Sequence, residues 1–221
     1  MQAFKHYKEL IASVPRSSSA EFKNHLKSIQ ACVSTVTLPK ILIESIQKNF
    51  GTTVRLMVRS SSNCEDLPAF SGAGLYCSKT NVQPEAVAEA IKAVWSSLWD
   101  PEAVRSRETT GIKHSDAMMA VLIQEMITPD VSFFMHTVNP ADNDHNTIVT
   151  ELAPGLGDTL ANATSQGTPY RAVYDKRTKK GALRCFANYS YALMPDPAGG
   201  LTQTSIDYRR VALSSDQTYS A

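Results

Sequence analysis

The residues best suited to chemistry lie in one polar segment, Arg59 to Pro68, which reads Arg-Ser-Ser-Ser-Asn-Cys-Glu-Asp-Leu-Pro. It follows an apolar run in which Val54, Leu56 and Val58 alternate as in a half-buried strand. An arginine guanidinium matches phosphate geometry, and small residues let backbone amides and hydroxyls approach an anion closely. On these residues alone, a phosphate-binding segment and a polar hairpin turn with a surface ion pair are equally good interpretations.

Further motifs follow this segment in one order along the chain. They are residues 71–76 (Ser-Gly-Ala-Gly-Leu-Tyr), 119–126, 132–142, 151–161, 167–171 and 186–190. With them, residues 50 to 192 resemble the nucleotide-binding domain of the pyruvate, phosphate dikinase superfamily. That group includes phosphoenolpyruvate synthase, rifampin phosphotransferase and the α-glucan water dikinases. The variant in this chain is most similar to the glucan and phosphoglucan water dikinases.

The resemblance implies an α+β, ATP-grasp-like fold in which two lobes of mixed helices and antiparallel strands clamp ATP. It also implies a phosphotransferase of the dikinase type, with ATP and Mg²⁺ as cofactors. In such an enzyme ATP, α-glucan and water give AMP, phosphoglucan and phosphate through a phosphohistidine in a separate domain. Two alternatives stay open: a pyruvate- or phosphoenolpyruvate-type dikinase, and a catalytically inactive ATP-binding module. The segments 152–157 and 136–142 favour the glucan branch.

The resemblance assigns nucleotide contacts to five residues. Arg59 matches the family arginine on the phosphates, and Ser78 the hydroxyl near them. Gln124 interrupts an otherwise apolar strand, where an unpaired buried amide costs about 1–3 kcal/mol, and it matches the glutamine beside adenine. Gly155 and Gly157 form a glycine loop that enters a helix near residue 159, and helix-start amides attract anions.

Other polar residues have less specific roles. Glu65 and Asp66 either orient Arg59, lie near magnesium, or form an exposed acidic turn; the metal ligands stay unidentified. His136 lies in a predicted strand and is expected to be packed or hydrogen-bonded rather than phosphorylated. No residue of this chain is assigned as catalytic, because the phosphoacceptor histidine is expected in a separate domain.

The chain is expected to divide into a helical segment, residues 1–50, and an ATP-grasp-like region, residues 51–221. Apolar spacing predicts two helices before residue 32, one after Pro39, and two more from Pro84 and Asp100. It predicts strands at residues 54–58, 119–126, 131–138, 147–152, 170–174 and 181–186. The closing acidic strand of the family is not visible, so this chain alone is expected to be inactive.

Composition excludes several classes of protein. A net charge of +1 argues against a nucleic-acid partner, and no apolar run is long enough for a membrane span. The four cysteines form no CxxC pair, which favours reduced thiols in a reducing compartment. No targeting segment is visible, and the expected location is a plastid or the cytoplasm. The partners implied by the resemblance are ATP, an α-glucan bound through the full-length protein, and a phosphohistidine domain in the same protein.

Overall fold

The computed structural model describes residues 2–67, 70–72, 74–161 and 166–208. Helices and antiparallel sheets are mixed along the chain, which confirms the predicted α+β class and agrees with an ATP-grasp-like domain. The described helices are α1 Gln2–Ala12, α2 Phe22–Ser34, α3 Lys40–Phe50, α4 Val87–Ser97, α5 Pro101–Thr110 and α6 Asp158–Ala161. The described strands are β1 Leu56–Ser62, β2 Asp66–Leu67, β3 Phe70–Ser71, β4 Lys79–Val82, β5 Met119–Glu125, β6 Val131–His136, β7 Thr147–Pro154, β8 Tyr170–Asp175, β9 Lys180–Cys185, β10 Tyr191–Pro195 and β11 Leu201–Ser205.

The chain forms two compact units, one of residues 1–126 with 198–200 and the other of residues 127–197 with 201–221. The sequence did not predict a boundary near residue 126. The helical segment of residues 1–50 belongs to the first unit, together with β1, β4 and β5.

The first unit is built on an antiparallel sheet with strand order β4-β1-β5. Leu56 and Val58 of β1 are fully buried and pack with Val87, Ile91 and Val94 of α4. A second cluster joins α2 to the chain beyond α4 through Phe22, Leu26, Ile29, Leu98 and Trp99. One face of the sheet is therefore covered by helices, and its other face is the surface described below.

Helix signals in the sequence correspond to the observed ends. Pro101 occupies the first turn of α5 after Asp100, and the helix ends at Gly111, whose φ of 71° is left-handed. Pro39 precedes α3, which ends at Gly51 with a φ of 76°. Both endings are positions where glycine takes a backbone conformation that other residues adopt at a cost.

The second unit contains an antiparallel sheet with strand order β6-β7-β8-β9 and a separate hairpin of β10 and β11. Helix α6 packs on β7, where Ala153 is buried. The short strands β2, β3 and β4 of the first unit and the β10–β11 hairpin were not predicted. Their lengths of two to five residues leave little periodicity to detect.

Candidate functional site

Strand register brings two of the predicted nucleotide contacts onto one surface. On β1, Leu56 and Val58 point to the helices, so Met57 and Arg59 point away from them. On β5, Met119, Val121 and Ile123 pack toward the same core. The outward residues of both strands form what we call the open face: Met57, Arg59, Ser61, Ala120, Leu122 and Gln124.

Pairing across the two strands fixes the arrangement on the open face. Arg59 is directly opposite Leu122, and Met57 is directly opposite Gln124. Arg59 and Gln124 are therefore diagonal neighbours, a relationship that places side chains about 7–8 Å apart. Leu122 lies between them and is 54% exposed, so the open face combines one cation, one amide and an accessible apolar patch.

Arg59 differs from its predicted setting in one respect. It lies inside β1, which continues to Ser62, and not in a loop that begins after the strand. The strand continues because residues 59–62 pair in register with residues 119–122 of β5. The Arg59 side chain is exposed and makes no ion pair with the described acidic residues.

Ser78 lies close to the same part of β1. Its hydroxyl oxygen accepts a hydrogen bond of 3.4 Å from the backbone amide of Ser60. Ser78 is exposed and immediately precedes β4, which pairs with β1 on the side opposite β5. The structure therefore places the predicted hydroxyl beside the residue that follows Arg59.

The acidic pair is only partly described. Glu65 is half-buried, its amide donates to the Ser62 carbonyl at 3.3 Å, and its carbonyl accepts from Gly72 at 2.6 Å. A Cβ on Gly72 would lie 3.0 Å from the Glu65 Cα, so this close approach requires glycine. Glu65 makes no ion pair with Arg59, and the Asp66 side chain lies outside the described part of the structure.

Asn63 is a residue that the sequence analysis did not single out. Its Nδ2 donates to the Asp116 carbonyl at 2.9 Å, and its Oδ1 accepts from the Met118 amide at 2.8 Å. These bonds attach the segment after Arg59 to the start of β5. An asparagine after three serines indicates only a turn, because its partners are more than fifty residues away.

Gln124 is half-buried, and its amide has no side-chain hydrogen bond within the described residues. The neighbouring Glu125 is exposed on the other face of β5, as alternation predicts. A half-buried amide without a partner is available to a ligand that offers a donor and an acceptor.

The predicted glycine loop lies in the second unit. Gly155 has a φ of 76°, and a Cβ there would lie 2.7 Å from the Leu193 carbonyl oxygen, so only glycine fits. The Gly155 amide donates to Asp130 at 2.9 Å, and the Leu156 amide donates to Leu193 at 3.0 Å. These amides are used within the protein, which makes Gly155 a packing residue in this conformation.

Gly157 is less constrained than Gly155. The nearest atom to a Cβ built on it is the Cβ of Ser132, at 3.7 Å. Its carbonyl accepts from the amides of Leu160 and Ala161 at the start of α6. Of the two loop glycines, Gly157 therefore has the more accessible surroundings.

Several motif residues of the second unit contact one another. Arg171 donates from Nε at 2.9 Å and from Nη2 at 2.5 Å to the same oxygen of Glu151. The Asn188 side-chain oxygen accepts from the Thr168 amide at 2.6 Å and from its hydroxyl at 3.0 Å. These contacts join motifs that are separate in sequence, which gives the residues a structural function.

His136 does not match its predicted environment. It lies at the end of β6 but is exposed, with no side-chain hydrogen bond to a described residue. The expectation of a packed or hydrogen-bonded histidine was wrong. The sheet has an accessible surface here, and strand alternation alone did not reveal which residues it leaves open.

The described residues form neither a metal site nor a membrane-spanning helix. Within them, no three His, Cys, Asp or Glu side chains come together as a metal site. None of the described helices has the length and apolar character needed to cross a membrane.

Comparison with known proteins identifies the family of this chain. Residues 3–214 match the family model for the pyruvate phosphate dikinase AMP/ATP-binding domain. A phosphoenolpyruvate synthase of Aeropyrum pernix is 36% identical over 145 residues, 63% of this chain and 17% of that protein. One from Pyrococcus furiosus is 26% identical over 201 residues, 87% of this chain and 24% of that protein.

A rifampicin phosphotransferase of Bacillus cereus is also similar, at 30% identity over 158 residues, which cover 70% of this chain and 18% of that protein. In each of these three comparisons the match spans less than a quarter of the relative's length. The similarity therefore concerns one domain of much larger phosphotransferases.

Proposed function

The chain belongs to the family of pyruvate phosphate dikinase AMP/ATP-binding domains, and we propose that it binds ATP as the nucleotide-binding part of a dikinase-type phosphotransferase. The observation that carries this proposal is the open face. There the β1–β5 register places the exposed Arg59 guanidinium diagonally next to the Gln124 amide, which has no side-chain partner among the described residues. A nucleotide needs both features, one for its phosphates and one for its base.

The open face suggests an orientation for the nucleotide. The adenine ring packs on Leu122, and its edge meets the donor and acceptor of the Gln124 amide. The phosphates lie toward Arg59, whose planar fork donates two parallel hydrogen bonds to phosphate oxygens. The Ser78 hydroxyl is a further donor near the residue after Arg59.

The roles of the remaining predicted residues follow from their settings. Gly155 shapes the loop of the second unit by close packing, and Gly157 is the glycine of that loop that a ligand can approach. For Glu65 and Asp66 the role near magnesium is the one proposed, because Glu65 makes no ion pair with Arg59. Mg²⁺ is expected to enter with ATP, since it commonly binds through one or two carboxylates and the substrate phosphates.

The described residues alone do not supply a complete magnesium site. What the chain itself does is bind and orient. Phosphoryl transfer depends largely on positioning and charge stabilisation, so a fixed cation and a fixed base contact are the contribution expected of a nucleotide-binding domain.

The acceptor of the phosphoryl group is the finer part of the proposal. Two of the relatives described above are phosphoenolpyruvate synthases, which supports a pyruvate- or phosphoenolpyruvate-type dikinase. An α-glucan remains the second candidate, and only the sequence motifs at residues 136–142 and 152–157 support it. In both cases the phosphate is proposed to pass through a phosphohistidine in a separate domain.

Two measurements test these proposals separately. Calorimetric titration of the 221-residue chain with Mg·ATP tests the nucleotide site, and a folded chain without saturable binding would refute it. The full-length protein is incubated with pyruvate or with soluble starch and with ATP labelled in both its β- and γ-phosphates. Label in phosphoenolpyruvate supports the first acceptor, label in the polymer supports the second, and label in neither refutes both.

A further inference from the structure

An apolar groove lies in the first unit between α1, the end of α2 and residues 114–119. Its volume is about 1030 Å³, at the upper end of the ~300–1,000 Å³ typical of small-molecule sites. None of the open-face residues lines it, so it is distinct from the proposed nucleotide surface. The lining is mainly apolar and includes Phe4, Ile11, Val33, Val36, Trp95 and Leu98.

Two carboxylates interact with residues that line this groove: Asp116 accepts a hydrogen bond of 3.0 Å from the Ser115 hydroxyl, and the charge of Glu108 acts on His114. Lys8 is the only charged side chain among the described residues that line it, and none of those residues carries a carboxylate. The Lys8 ammonium lies 4.7 Å from the centroid of the exposed Phe4 ring, at the rim of the groove. A negatively charged group on an otherwise apolar ligand would therefore meet an attractive cation there.

A second cation lies behind the wall of the groove. Arg107 is 1% exposed, its Nη2 donates to the Leu98 carbonyl at 2.6 Å, and its Nε donates to His114 Nδ1 at 3.5 Å. It makes no ion pair with a described carboxylate. A buried guanidinium without a carboxylate partner adds positive potential to the wall formed by Leu98 and His114.

One ring nitrogen of His114, in the wall of the groove, is in contact with Arg107. Because Arg107 can only donate, the Nδ1 of His114 must accept, and the proton of the neutral ring lies on Nε2. Burial lowers the pKa of His114 below its ordinary value, the charge of Arg107 lowers it further, and the charge of Glu108 opposes the shift. Nε2 is then the ring nitrogen that can donate to an acceptor such as a carboxylate.

We propose that the groove binds an amphipathic monocarboxylate, with its apolar body against the groove lining and its carboxylate beside Lys8. An uncharged apolar molecule would not use Lys8, and an apolar cation would be repelled by Lys8 and Arg107. A polyphosphate would need several exposed donors, whereas the lining is largely apolar. The groove combines an apolar lining with the positive charge of Lys8, and a ligand with an apolar body and one carboxylate matches both.

The two tryptophans of the chain allow a direct test. Trp95 lines the groove, and Trp99 packs edge-on against Tyr7 and His114, which are both lining residues. Decanoate is titrated below its micelle concentration while tryptophan fluorescence is recorded, with decanol and decyltrimethylammonium as probes of equal chain length. Decanoate is expected to give a saturable change at a lower concentration than either probe.

Variants locate the binding. Lys8→Ala should weaken decanoate binding about two- to fivefold, the range for an exposed charge pair. Val36→Asp places a like charge in the groove and should weaken it about tenfold or more. Ile41→Asp is the matched control, because Ile41 is 75% exposed on α3 and does not line the groove.

Each result decides for or against the groove. No saturable change, equal affinity for decanol, or an equal loss in Ile41→Asp would each overturn the proposal. Circular dichroism checks that every variant is folded. If Val36→Asp does not fold, the exposed Lys8→Ala substitution and the decanol comparison decide the question, because neither changes an apolar lining residue.

Discussion

Replacing Arg59 by alanine is the most direct test of the proposed nucleotide site. The side chain is exposed on β1 and makes no ion pair with the described acidic residues. Arg59→Ala should therefore change the free energy of unfolding by less than about 0.5 kcal/mol. Any effect on ATP affinity can then be assigned to the ligand contact and not to a loss of structure.

The expected loss of affinity follows from the kind of bond removed. A hydrogen bond to a charged group contributes about 1.5–3 kcal/mol, which corresponds to a loss of ATP affinity of roughly 12- to 150-fold. Arg59→Lys keeps the charge but loses the planar fork, so its dissociation constant should lie between those of the unmodified chain and Arg59→Ala. A loss in Arg59→Lys as large as in Arg59→Ala would mean that geometry, and not charge, dominates.

The assay is calorimetric titration with Mg·ATP, accompanied by urea unfolding of each variant. Arg184→Ala is the matched control, because Arg184 is also an exposed arginine on a strand, in β9 of the second unit. The control should bind ATP like the unmodified chain. Unchanged affinity in a folded Arg59→Ala variant would refute the assignment, and an equal loss in Arg184→Ala would show a nonspecific charge effect.

Three further predictions concern other residues. Gln124→Ala should weaken ATP binding about two- to tenfold, because one neutral hydrogen bond is lost. In the same calorimetric assay the binding of inorganic tripolyphosphate, which has no base, should be unchanged. Equal losses of affinity for both ligands would contradict a base contact. In urea unfolding, Gly155→Ala should lower the free energy of unfolding more than Gly111→Ala does. Both glycines have a positive φ, but only Gly155 lacks space for a Cβ. Equal decreases in the free energy of unfolding would contradict the packing argument. The hydrogen bond from the Thr147 hydroxyl is the main cause that lowers the pKa of Asp144 to about 2. The ionised Asp144 carboxylate therefore stabilises the folded chain above the ordinary pKa of aspartate, and this stabilisation is lost as the pH falls toward 2. Thr147→Val should raise the pKa of Asp144 in an NMR titration, and an unchanged pKa would contradict this cause.

Local patterns in the sequence predicted most of the elements that position the open face. Period-two alternation identified β1 and β5, and the same alternation separated Gln124 from Glu125. Alternation could not show that Arg59 and Gln124 share a face. That depends on the register in which β1 pairs with β5, about sixty residues further along the chain. A shift of the register by one residue would place the two side chains on opposite faces.

Long-range hydrogen bonds were the main feature beyond the reach of the sequence. Asn63 and Gly155 look like ordinary turn residues, yet their partners are Met118 and Asp130. Turn chemistry explains why such residues tolerate their backbone conformation, but it does not specify which distant group they bond. The division near residue 126 has the same origin, since it reflects the contacts of whole sheets and not a linker composition.

The contrast between the two units separates structural motifs from binding motifs. In the second unit, Glu151 and Asn188 already have protein partners, so motif identity there is explained by folding. In the first unit, Arg59 and Gln124 belong to equally specific motifs but have no side-chain partner among the described residues. Buried or half-buried polar groups normally find partners, so the unpartnered, half-buried Gln124 amide is the better candidate for ligand contact, and the exposed Arg59 is its diagonal neighbour. The open face is therefore the surface proposed to contact the nucleotide, whereas Gly155 belongs to the packing that shapes its loop.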